Sequence, residues 1–234
     1  MSAQGNTSQT LRAVGGLGVS NGSDLEWLSA LAREASEDPA WREFSAFADS
    51  RSRGLRAEAF RHLSHFIRAA TDWEFEERLG FCRWLLGKAG VFGDLGIASP
   101  QPLHANLLVP TIRQWLEREP RIAEAHLWLG LLRCDVPSEH LAHALALDPG
   151  CEQARRVLVE WIIGDIEYNQ HELPSFYIHD PRDDLVELDR AADLLAGAST
   201  SDETNRQKLE ITELRRHAEA WLAAHPLPGD FATH

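Results

Sequence analysis

Apolar residues in this chain recur three and four positions apart over long stretches, and no stretch alternates apolar with polar in a sustained way. Spacing of that kind puts side chains on one side of a helix, whereas a strand needs a period of two, so the pattern predicts an all-α protein. Trp27, Leu28 and Leu31 make the first stripe, with Ser23 and Glu26 in front of it as a capping box. Asp38-Pro39 ends that helix and starts a second carrying Trp41, Phe44, Phe47 and Ala48, which Gly54 breaks. A third helix is expected over 55–70 with Ala59, Phe60, Leu63, Phe66 and Ile67 on one side. Thr71 and Glu74 would cap a fourth, whose stripe is Phe75, Leu79, Cys82 and Leu86.

Periodicity stops from Gly87 to Pro102, where glycines give way to Ser99-Pro100-Gln101-Pro102, the composition of a surface loop. It resumes with Leu107, Leu108, Ile112, Trp115 and Leu116, Pro110 either kinking that helix or marking its start. Two closing helices are expected. One begins at about Pro181 with Leu185, Leu188 and Ala192 inward, and the other is capped by Thr200 and Glu203 and carries Leu214, Ala218, Trp221 and Leu222. The chain then reads as a tail without periodic apolar residues (1–22), a first helical layer (23–90), a Gly/Pro loop (91–102) and a second helical layer (103–234) continuous with the first.

Between these lies a run of another kind. Pro120, Ala123, Ala125, Leu129 and Gly130 lead into Leu141-Ala-His-Ala-Leu-Ala-Leu-Asp-Pro149, in which Ala144 and Leu145 offer a close-packing face and Pro149 can begin a further helix. The run resembles the tetratricopeptide repeat, with His126 at the family's tryptophan position, and covers one degenerate unit and the first helix of a second. The resemblance implies antiparallel helical hairpins stacked as an irregular α–α repeat array, a scaffold that binds on its surface. It also sets Leu129, Ala144 and Leu145 at the contact between paired helices, where Leu145→Ala is expected to cost about 2–5 kcal/mol.

Composition narrows the function. A chain of 234 residues that is 44% hydrophobic, with eight Trp and nine Phe, can bury a substantial core. A formal charge of −13 argues against a nucleic-acid surface and favours a basic protein or peptide partner. Arginine carries nearly all the positive charge, Lys88 and Lys208 being the only lysines, a usage that a GC-rich bacterial genome would produce. No uncharged apolar run reaches the length of a membrane span, no secretory signal is visible, and Cys82, Cys134 and Cys151 form no Cys-x-x-Cys pair. These features lead to the expectation of a cytoplasmic protein without cofactor.

Candidate chemistry is sparse. Cys134, His140, His143 and Cys151 include the ligand types that suit zinc, but Leu141, Ala144 and Leu145 must face the core and turn both histidines outward, so no metal is expected. His171-Glu172 cannot extend to His-Glu-x-x-His, because Pro174 and Ser175 follow. Neither a Gly-x-Ser-x-Gly turn nor a phosphate-binding loop occurs, and the Gly15–Gly18 cluster lacks the spacing and the lysine of one. The aperiodic segment Tyr168–Asp180, rich in aromatics, histidines and acids, remains. It is a recognition element with Tyr168, Asn169, His171, Tyr177, His179 and Asp180 as binding residues, or a crossover with Phe176 and Ile178 inserted between helices; Asp180 also suits the N-cap before Pro181. The favoured function is a non-catalytic protein-interaction module with an acidic helical surface, in a specific version an immunity-type neutraliser of a basic toxin. The alternative is an enzyme or small-ligand binder using the same segment.

Overall fold

The computed structural model describes residues 21–88 and 95–225, and every regular element among them is helical. In order these are α1 (Asn21–Ala35), a 3-10 turn (Pro39–Trp41), α2 (Arg42–Ser52), α3 (Arg56–Thr71), α4 (Phe75–Gly87) and α5 (Leu95–Ala98). Next comes α6, in which Gln101–Leu103, a π-helical stretch at His104–Leu108 and Val109–Arg118 follow without a break. The remainder are α7 (Ala123–Leu131), α8 (Pro137–Leu147), α9 (Glu152–Gln170), α10 (Pro181–Ala196) and α11 (Asp202–Ala224). The all-α expectation holds, and helices adjacent in sequence pack in antiparallel pairs. Residues 1–20 of the proposed tail (1–22) and residues 91–94 of the Gly/Pro loop (91–102) lie outside the described residues, while Asn21 and Gly22, read as tail, belong to α1.

The chain forms two compact units, divided within α3: residues up to 66 with 95–98 in the first, and 67–88 with 99–225 in the second. In the first, α1 packs on α2, and Trp27, Leu28, Leu31, Phe44, Phe47 and Ala48 are buried as their spacing requires. Phe44 stands at the centre, its ring 5.6 Å from Phe47 and 5.5 Å from Phe66. Asp38 accepts from the Ala40 amide at 2.8 Å and Pro39 opens the turn, so this cap is the one the sequence announces. Gly54 has φ +75°, the left-handed value that lets α3 follow α2 after only three residues.

In the second unit Val159, Ile162, Ile163 and Ile166 of α9 meet Leu188, Ala191 and Leu195 of α10 and Ile211 and Leu214 of α11 in one apolar cluster. The repeat-like hairpin α7–α8 packs closely at Gly130, where an added Cβ would stand 2.6 Å from the Leu141 side chain. Arg133 (φ 54°) and Asp135 (φ 50°) turn the chain between those two helices. Trp128 of α7 meets Trp115 of α6 with ring centroids 5.8 Å apart.

Several local expectations move. Ser23 lies inside α1, which begins at Asn21. Thr71 closes α3, its hydroxyl donating to the Ile67 carbonyl at 2.9 Å, and the capping interaction falls three residues later, where the Glu77 carboxylate accepts from the Glu74 amide at 2.9 Å. Ser201 rather than Thr200 caps α11, accepting from the Thr204 amide at 3.0 Å. Serine, threonine and acids crowd the starts of α4 and α11, and the one whose oxygen meets an unbonded amide becomes the cap. The stretch read as a loop over 91–102 includes α5 and the start of α6, because Pro100 and Pro102 occupy cap and first-turn positions that need no N–H. Pro110, lacking the N–H that Asn106 would accept, is the second residue after the π-helical stretch. Pro149 sits in a turn where Asp148 accepts from the Gly150 amide at 2.9 Å, and α9 starts at Glu152. Leu145 is only half-buried, whereas Leu141 and Ala144 are fully buried, and Ala191 rather than Ala192 faces inward.

Candidate functional site

The connection from α9 to α10 is built in two layers. Its inner layer begins with Asn169 and Gln170, the last residues of α9, which the helical stripe of Ile162, Ile163 and Ile166 turns inward. Asn169 donates from Nδ2 to Asp184 Oδ1 at 2.9 Å, and its carbonyl accepts from the Ile178 amide at 3.0 Å. Tyr177 donates from its hydroxyl to Asp184 Oδ2 at 2.7 Å and accepts at the same oxygen from Gln170 Nε2 at 2.9 Å. Gln170 also donates to the Leu214 carbonyl at 2.9 Å, and its Oε1 lies 3.2 Å from His217 Nδ1. One network thus joins α9, the connection, α10 and α11, and all four of Asn169, Gln170, Tyr177 and Asp184 are buried.

Burial pushes the Asp184 carboxyl above the usual carboxylate range, against the hydrogen bonds from Tyr177 and Asn169 that favour its charge. Tyr177 is raised for the same first reason, reinforced by its bond to Asp184. Asp165 is raised by burial and by the neighbouring charges of Asp184 and Glu187. Acids crowd this connection: residues 165–187 hold Asp165, Glu167, Glu172, Asp180, Asp183, Asp184 and Glu187 against one arginine, Arg182, and no lysine.

The outer layer faces solvent. Tyr168 is 57% exposed and Phe176 58%, large apolar areas to leave in water. His171 stacks on Tyr168 with centroids 5.0 Å apart at 26°, and its Nε2 lies 2.9 Å from a Glu172 carboxylate oxygen. His179 is exposed, and Asp180 caps α10 by accepting from the Arg182 amide at 2.9 Å. The six residues read from sequence thus separate: Asn169 and Tyr177 join the buried network, Tyr168 and His171 form an outer aromatic pair, Asp180 is an N-cap, and His179 is exposed nearby. Phe176 points outward and Tyr177 inward, the reverse of the crossover reading for Phe176, while Ile178 is half-buried. Sequence reasoning missed Gln170, Asp184 and His217. Asp184 carried a signal, since it precedes buried Leu188 by one helical turn and so falls on the inward stripe of α10.

The four metal-like residues do not gather. Cys134 is buried with its thiol 3.8 Å from the Leu132 carbonyl, and Cys151 is the N-cap of α9. His140 and His143 instead meet His126. Among the described residues no group of three histidine, cysteine or acidic side chains is placed to hold a metal ion, and no helix is long and apolar enough to cross a membrane. No family model, curated protein or solved structure matches this chain.

Proposed function

We propose that the protein is a non-catalytic interaction module that binds a basic protein or peptide at the outer layer of the α9–α10 connection. The observation that carries this reading is the pairing of exposed Tyr168 and Phe176 with a buried hydrogen-bond network that fixes the segment from behind. Exposed aromatics on a braced backbone give contact area at small ordering cost, which is the character of binding hot spots. The surrounding carboxylates and the overall charge of −13 would steer a cationic partner and reject an acidic one. The repeat-like α7–α8 hairpin fits the same reading, since such hairpins act as scaffolds. Neutralisation of a basic toxin is one such partnership, and a basic peptide ligand is another.

The test compares wild type with Tyr168→Ala/Phe176→Ala as immobilised bait, captured proteins being quantified by mass spectrometry in low and high salt. The reading expects a basic partner held in stoichiometric amount by wild type, weakened by salt and at least tenfold depleted on the variant, with the thermal midpoint unchanged. Equal capture by both baits would move the function elsewhere.

A further inference from the structure

A second cluster of titratable groups lies on the repeat-like hairpin and takes no part in the α9–α10 connection. His126 of α7 and His140 of α8 face each other with their Nδ1 atoms 3.2 Å apart, and His143 stacks on His126 with centroids 5.2 Å apart at 22°. Each neighbour is itself held. His143 Nδ1 donates to the Glu139 carbonyl at 2.9 Å, and His140 Nε2 lies 3.6 Å from Asp135 Oδ2. Asp135, in the turn between the helices, accepts at Oδ1 from Arg113 of α6 at 2.8 Å, and that guanidinium holds its carboxyl below the usual range. Elsewhere on α7, Glu124 pairs with Arg83 of α4 at 2.7 Å.

An Nδ1–Nδ1 hydrogen bond needs one N–H and one lone pair. A first proton is compatible with it: on His140 Nε2 it faces Asp135 and leaves Nδ1–H to donate to His126. A second proton is not, because His126 Nδ1 would then present N–H to N–H and two cations would stand in contact. We propose that the three histidines form a pH-sensitive clasp, which holds α7 on α8 until both His126 and His140 are charged and releases the hairpin when His126 takes that second proton. In agreement, His126 is pushed below the ordinary imidazole value of 6.5, by burial first and then by His140 and His143. The sign follows: the unfolded imidazole takes its proton at higher pH than the folded one. The clasp's stabilisation is complete above 6.5, is lost as pH falls through the folded value, and levels off below it.

Two measurements on the full chain test this. A proton NMR titration of the imidazole signals should give His126 a midpoint below 6.5. Amide hydrogen exchange, corrected for intrinsic rates, should show protection across 123–147 falling at least threefold more than across α9–α11 between about pH 7.5 and about pH 5.5. In His126→Gln, which cannot charge, that excess loss should vanish. A His126 midpoint at or above 6.5, an even loss over α7–α11, or a loss that persists in the variant would overturn the clasp. So would zinc at micromolar concentration abolishing the titration, since the cluster would then be a metal site. If His126→Gln fails to fold, the wild-type titration decides alone.

Discussion

Single residues give the sharpest tests of how the helices meet. The Cβ of an alanine at Gly130 would stand 2.6 Å from Leu141, too close for a side chain that is itself fully buried. Gly130→Ala should therefore destabilise by about 1–3 kcal/mol through forced repacking, although alanine is the better helix former. Leu141→Ala should cost about 2–5 kcal/mol by leaving a cavity, while the same change at half-buried Leu145 costs less. Urea unfolding of the three variants orders them, and a Leu145 effect exceeding that of Leu141 would contradict the packing. The cysteines separate chemically as well. Burial pushes the Cys82 thiol up to about 12 and also raises Cys134, whereas Cys151 is partly exposed at the start of α9. A thiol reagent applied to the native protein near neutral pH should label Cys151 first and leave Cys82 unmodified until the protein unfolds, as read by peptide mass. Prompt labelling of Cys82 would contradict its burial in α4.

At the scale of elements, most helices were legible and their ends less so. Long stripes such as Phe44, Phe47 and Ala48 specify a helix whatever surrounds them, and Asp38-Pro39 and Gly54 each mark a boundary with one chemical solution. The caps at Thr71 and Thr200 slipped because several neighbouring side chains could each satisfy the free amides. In the α9–α10 connection the sequence marked the segment without its orientation. Tyr177 turns inward because its hydroxyl finds Asp184 and Gln170, and Gln170 is fixed in turn by Leu214 and His217 of α11, partners 44 and 47 positions along the chain. No local pattern carries that information. The network predicts that Asp184→Ala, which strips the acceptor from Tyr177 and Asn169, costs about 1–3 kcal/mol for each donor left unpaired. Tyr177→Phe should also destabilise, by about 1–3 kcal/mol, and thermal unfolding of both variants measures it.

For the whole molecule, an acidic all-α chain holds one braced, aromatic connection, which we propose is the surface that meets a basic partner. Exposed side chains on such a segment should be dispensable for folding and required for binding, and its buried side chains the reverse. The most direct measurement sets Tyr168→Ala/Phe176→Ala beside Tyr177→Phe, recording for each the thermal midpoint and the amount of basic partner captured. The account predicts an unchanged midpoint with lost capture for the outer pair, and a lowered midpoint with capture retained below that midpoint for the inner residue. A lowered midpoint with undiminished capture for the outer pair would contradict it, because Tyr168 and Phe176 would then serve the fold and the binding surface would lie elsewhere.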